Sequence, residues 1–381
     1  MKELALLFLK LGTIGFGGPA AHIAMMEEEV VKRRGWLTHE HFLDLLGLTN
    51  LIPGPNSTEM AIHIGYVRAG WKGLIIAGIC FILPAVSITL LLAYLYVAFG
   101  TLPQFGSFMI GIRPAIIAVI LAALYRLGKP SAKKPLMIFI GVAVVILNLL
   151  HIDEVLLLIG GGLCGLLWSM RDRIGKNVSM LATTAMLVVV PSVASGTGIP
   201  DVVYGGATTI GLGLFFLKIG SVLYGSGYVL VAFLQGGLVD VRHWLTQSQL
   251  LDAIAIGQFT PGPVLSTATF IGYVILGIPG AAVATTGIFL PSFIFVLVTA
   301  PLLPKIRSSK LMKGFLDGVN AASLGLMASV CITLAIANLT VMVMWVIFIA
   351  ALLLLIIRNV SAVWIVLGAG VIGLLMPLVH F

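Results

Sequence analysis

Charged side chains are scarce in this sequence: Asp, Glu, Lys and Arg make up 9% of its 381 residues, where a soluble domain carries about 25%. With 60% hydrophobic residues and a mean hydropathy of +1.14, that scarcity excludes a soluble globule and marks an integral membrane protein set in a lipid bilayer. Cysteine is nearly absent as well. Cys80, Cys164 and Cys331 lie far apart inside apolar runs, which excludes a disulfide framework and a zinc site, so neither metal nor cofactor is expected. No GxxxxGK[ST] stretch occurs, so the chain carries no nucleotide-driven motor of that type. No nucleophile–base pair stands out at interpretable spacing, and an intramembrane enzyme is not expected. The N-terminus MKELALLFLKLGTIGFGGP lacks a small-residue cleavage site after a clean apolar core, so no removed signal peptide is expected. The net charge of +8 comes from basic residues in short loops between apolar segments. It reads as a topology signal rather than a nucleic-acid surface.

What the sequence does contain is a copy of itself. Sliding it by 208 residues aligns FLKLGTIGFGG (8–18) with FLKIGSVLYGS (216–226), and Lys10 falls on Lys218. At the same offset Trp36-Leu37-Thr38 meets Trp244-Leu245-Thr246, Asp44 meets Asp252, and Pro53-Gly54-Pro55 meets Pro261-Gly262-Pro263. One residue is then dropped, after which Gly65-Tyr66, Leu83-Pro84 and Gly111 match Gly272-Tyr273, Leu290-Pro291 and Gly318. The duplication divides the chain into a first repeat (1–170), a linker with its own apolar segment at 180–196 (171–207) and a second repeat (208–381). RLGKPSAKK (126–134) is basic where its counterpart TLAIANLTV (333–341) is neutral, and AFGTLPQFG (98–106) is neutral where KIRSSKLMK (305–313) carries four cations. Because cytoplasmic loops collect Lys and Arg, the two halves are expected to cross the membrane in opposite directions. The expected fold is therefore all-α and polytopic, with two inverted homologous halves.

Helices flanking each PGP, within 39–69 and 247–276, are about 13 residues long, short of the roughly 20 that span a bilayer. They read as half-helices broken inside the membrane. Proline lacks the N–H of a continuing helix, and glycine tolerates the dihedrals of a sharp break. Pro53, Gly54, Pro55, Pro261, Gly262 and Pro263 are thus structural breaks. The helix restarting after Pro55 points its free N–H groups, at Asn56, Ser57 and Thr58, into the break, which favours an anion. Paired breaks from inverted repeats are a recurring site layout in secondary transporters. Lys10, Lys218 and Arg113 lie in apolar surroundings, where ionisable groups usually face a polar interior; they are expected to supply positive charge, and a guanidinium suits a tetrahedral oxyanion. Snorkelling is the alternative for Lys10, and pairing with a carboxylate, Glu59 first, is the alternative for Arg113. Glu59 is also the candidate for coupling transport to a proton. Gly17 and Gly18 would add a helix start, with Thr13, Ser221, Gln258 and Thr267 as further polar lining. The roles of Asp44 and Asp252 stay open; His39 and His41 read as a solvated turn, and the GGGLCG stretch (160–165) as close helix packing.

The stretches FLKLG, FGGPAAHIAMMEEEVV, RGWL and LIPGPNSTEMAIHIGY, with the second PGP, resemble the chromate ion transporter family in its long, two-domain form. The resemblance implies a secondary exporter of chromate, with sulfate as its chemical mimic, in the inner membrane of bacteria and conferring chromate resistance. YGSG in the second half departs from FGGP. An exporter or importer of sulfate or another anion, or a passive anion channel, is the alternative; oligomeric state is left open, a homodimer among the options.

Overall fold

A computed structural model describes residues 1–16, 18–100, 102–131, 134–174, 206–224, 227–302 and 310–376. The linker segment 180–196 and Gly17 lie outside the described residues. The first repeat runs through α1 (Lys2–Ile14), α2 (Gly18–Glu27), a π-helical stretch (Glu28–Arg33), α3 (His39–Thr49), α4 (Asn56–Phe99), α5 (Pro103–Ser131), α6 (Pro135–Leu149) and α7 (Glu154–Ile174). The second repeats the series as α8 (Thr209–Val222), α9 (Leu230–Leu234), another π-helical stretch (Gln235–Val241), α10 (Gln247–Phe259), α11 (Thr267–Thr299), α12 (Lys310–Asn338), α13 (Met342–Ile357) and α14 (Ala362–Leu375). Helix and turn are the regular structure of the described residues, and four helices are long and apolar enough to cross a bilayer. The chain is an all-α, multi-pass membrane protein. Large apolar side chains such as Leu91, Val142, Ile336, Met342 and Trp364 are exposed, as a lipid-facing surface requires.

Local chemistry sets the breaks. Thr38 caps α3 by accepting the His41 N–H, and Thr246 caps α10 in a reciprocal capping box with Gln249, so the aligned WLT triplets start the same helix twice. Each helix stops at PGP, where Gly54 (φ 136°) and Gly262 (φ 92°) hold left-handed backbone that glycine tolerates. The chain then doubles back. Inside α4 the dihedrals break at Ala69 and Gly70, and inside α11 at Leu276 and Gly277. In a straight helix Gly65 and Gly73 would lie about 12 Å apart; here a Cβ on either would strike the other's carbonyl, and Gly272 and Gly280 repeat the contact. Residues 56–68 are thus a half-helix lashed to the span that follows.

The halves interlock. In one half α1 packs on α4, in the other α8 on α11, and α4 meets α11 at the centre. By contrast α5 of the first repeat packs on α13 and α14 of the second, and α12 of the second packs on α6 and α7 of the first. The α7–α12 contact runs through GGGLCG: a Cβ at Gly161 or Gly165 would meet Gly318 or Gly314 of α12, the close approach that small residues permit in membranes.

Candidate functional site

The two PGP breaks meet across the repeat boundary. The Gly54 N–H donates to the Leu223 carbonyl at 2.7 Å, and the Gly262 N–H donates to the Gly15 carbonyl at 2.7 Å. Each break is therefore tied to the end of the first helix of the other repeat, the pattern that a two-fold relation between halves produces. The Gly15 carbonyl also lies 2.9 Å from Nε2 of the buried His22.

Beside these crossings lies a cavity of about 570 Å³. Asn56 and Val264, the first residues after the two PGP turns, both line it, so two helix starts converge there. The Gly15–Phe16 and Gly18–Pro19 segments form another wall, and Gln258, Tyr228, Thr260, Asn359, Ser361 and Arg126 add polar side chains to the lining. Arg126 is the one charged side chain among the described lining residues; its Nη2 donates to the Leu355 carbonyl at 2.6 Å and to Asn359 Oδ1 at 3.2 Å. Gln258 Oε1 accepts from the Tyr228 hydroxyl at 3.4 Å, while its buried Nε2 has no partner. A guanidinium, an unspent amide donor and the positive ends of two helices, with no carboxylate in the described lining, form a place for an anion.

Of the residues expected from sequence, Gly18, Asn56 and Gln258 line this cavity. Others lie elsewhere. Lys10 pairs with Glu29 at 2.9 Å, and Arg33 and Arg34 join the same carboxylate; Lys218 lies 3.7 Å from Asp153. Both lysines are half-exposed. Arg113 does not pair with Glu59. Its Nε and Nη2 donate to Asp252 at 3.2 and 3.3 Å, and the Tyr96 hydroxyl donates to the same carboxylate at 3.0 Å, so the aspartate left open in the sequence is the partner. Thr13, Ser221 and Thr267 turn their hydroxyls back to the carbonyls of Leu9, Leu217 and Val264. Ser57 and Thr58 are buried in the first turn after the break. His39 pairs with Glu27 at 3.0 Å in an exposed setting. Arg126 escaped sequence reasoning because it opens the basic stretch 126–134, which reads as a topology signal; its position on the last turns of a helix, before the loop itself, was the available clue.

A sequence profile described as "Chromate transporter" matches residues 2–166 and again 210–374. A chromate transport protein of Cupriavidus metallidurans is 35% identical over all of this chain and 94% of its own length. A probable chromate transport protein of Synechococcus elongatus is 31% identical over 88% of this chain and 84% of its own. One of Pseudomonas aeruginosa, a chromate transport protein, is 32% identical over 86% and 79%. No solved structure shows a significant match.

Proposed function

We propose that this chain, which belongs to the chromate transporter family, exports chromate from the bacterial cytoplasm across the inner membrane, conferring resistance to it. The observation that carries the reading is the cavity at the crossing of the two breaks, with Arg126 as its charge and Gln258 Nε2 as a free donor. Chromate is a tetrahedral divalent oxyanion, and the guanidinium fork can bind two of its oxygens at once. Sulfate has the same shape and charge and competes for the site.

Direction follows from charge. Arg126 stands at the basic end of α5, and the positive-inside rule places that end in the cytoplasm, so the cavity receives its anion from there. The same rule, applied to 305–313, turns the second repeat over relative to the first. Alternating access then needs moving bodies. Because α5 is packed on α13 and α14, and α12 on α6 and α7, the sequence repeats do not rock as separate blocks; these two interleaved groups move against the centre formed by α1, α4, α8 and α11.

Chromate uptake into inverted membrane vesicles tests the reading. Arg126→Ala is expected to lower uptake roughly tenfold or more, the worth of a charge-assisted hydrogen bond, with Arg126→Lys in between and excess sulfate suppressing wild-type uptake. Uptake by Arg126→Ala equal to wild type would sink the assignment of the cavity.

A further inference from the structure

The two breaks are built alike but finished differently. At the second, the Thr89 hydroxyl lies 3.2 Å from both Thr260 Oγ1 and Ser266 Oγ, and Thr260 also donates to the Ile256 carbonyl at 2.9 Å. The buried hydroxyls there satisfy one another. At the first break the repeat puts Ile52 where Thr260 stands and Val296 where Thr89 stands, and both belong to one buried apolar cluster with Ile62 and Leu74. Glu59 stands in the first turn of the helix that restarts at this break.

Glu59 has no exposed surface, and neither carboxyl oxygen has a hydrogen-bond partner. Ser292, from α11 of the other repeat, is equally buried and its hydroxyl equally unpartnered. Gly54 brings the two together: a Cβ there would collide with Glu59 Oε1 and lie 2.7 Å from Ser292 Oγ. One helical turn beyond Glu59, on the same face, His63 is fully buried with both ring nitrogens unpartnered. Among titratable groups on neighbouring elements, Tyr224 lies within electrostatic reach of Glu59. Of the others, His22 bonds the Gly15 carbonyl, Lys10 is tied to Glu29, His39 pairs with Glu27, Glu40 is exposed on α3, and His41, Asp44 and Cys80 are part-exposed. No salt bridge reaches Glu59 among the described residues.

A buried carboxylate with neither cation nor donor is untenable in water-free surroundings unless something neutralises it, and carboxylate–histidine chains inside membranes are proton paths. We propose that Glu59, Ser292 and His63 form the site that couples transport to a proton, an inference resting on the transport reading above. On loading, a hydronium ion gives up a proton and becomes water, one O–H bond forms at a carboxyl oxygen, the negative charge disappears, and the new hydroxyl donates to Ser292 Oγ across the repeat boundary. On release that O–H bond breaks, an N–H bond forms at a free ring nitrogen of His63 and the carboxylate returns; the imidazolium N–H bond then breaks as its proton passes to water.

The test uses the full chain in inverted membrane vesicles with the membrane potential clamped. For one proton per cycle, a pH difference of one unit is expected to hold chromate about tenfold above equilibrium in the wild type. Glu59→Gln is expected to abolish this accumulation while exchange of labelled for unlabelled chromate continues. Ser292→Ala, which removes a single hydroxyl, is expected to keep accumulating but to shift the pH of half-maximal exchange by roughly one unit. Accumulation by Glu59→Gln equal to wild type, a wild type that follows a sodium gradient instead of pH, or an unmoved profile in Ser292→Ala would overturn the site. A wild type that neither accumulates nor exchanges chromate would overturn the transport reading itself.

Discussion

The Gly54 amide donates to the Leu223 carbonyl at 2.7 Å, joining the break of one repeat to the first helix of the other, and Gly262 and Gly15 complete the reciprocal pair at the same distance. The bonds matter because a PGP turn leaves backbone polar groups at membrane depth, where an unsatisfied one costs several kcal/mol, on the order given by transfer into oil. Neither half can satisfy its own break. Folding of the two halves is therefore coupled at this point, whatever the order in which they insert.

Alanine at Gly54 or Gly262 is expected to destabilise the protein, by on the order of 1–3 kcal/mol from left-handed backbone alone. Gly54→Ala should be worse. Its new Cβ collides with Glu59 and Ser292, whereas at Gly262 it meets the Ala85 methyl at 3.0 Å and the Gly12 carbonyl at 3.3 Å. Thermal unfolding in detergent checks the order, and equal midpoints for the two variants would contradict it.

Arg113→Ala leaves Asp252, 3% exposed, without its counter-ion. The expected loss is roughly 2–4 kcal/mol, toward the lower side for broken buried pairs because Arg113 keeps 24% of its exposure. Arg113→Ala/Asp252→Ala should recover part of it, with a coupling of at least about 1 kcal/mol in a double-mutant cycle of unfolding free energies. Additive losses would show that the pair is idle.

Lys10→Met and Lys218→Met separate the two readings of the repeated lysine. As partners of Glu29 and Asp153 on half-exposed ground, they contribute about 1 kcal/mol or less, and vesicle uptake of chromate should stay within about twofold of wild type. A tenfold loss of uptake with unchanged expression would return both lysines to the anion path.

Much of the fold is legible because its signals are local. PGP ends a helix wherever it stands, aligned WLT triplets cap the same helix twice, and glycine spacing announces close packing. Pairings across the repeats carry no such mark. Arg113 and Asp252 are 139 residues apart, and nothing near Arg113 in the chain selects Asp252 over Glu59. Ser292 follows a proline in an apolar span and looks like a tolerated hydroxyl until Gly54 brings Glu59 against it. Arg126 is obscured differently: a cation at the end of a span serves topology and substrate with the same side chain. The apolar periodicity of the spans says which faces are buried, and leaves unsaid that α5 and α12 trade partners between halves.

The unequal finish of the two breaks bears on what either half could do alone. Two copies of the first repeat would bring a second glutamate, yet Ala85 would stand where Ser292 is needed. Two copies of the second would bring the serine, with a hydroxyl residue, Ser266 or Thr267, in place of the glutamate. Neither homodimer could assemble the Glu59–Ser292 pair, so under the proposed coupling each half depends on the other for its proton site.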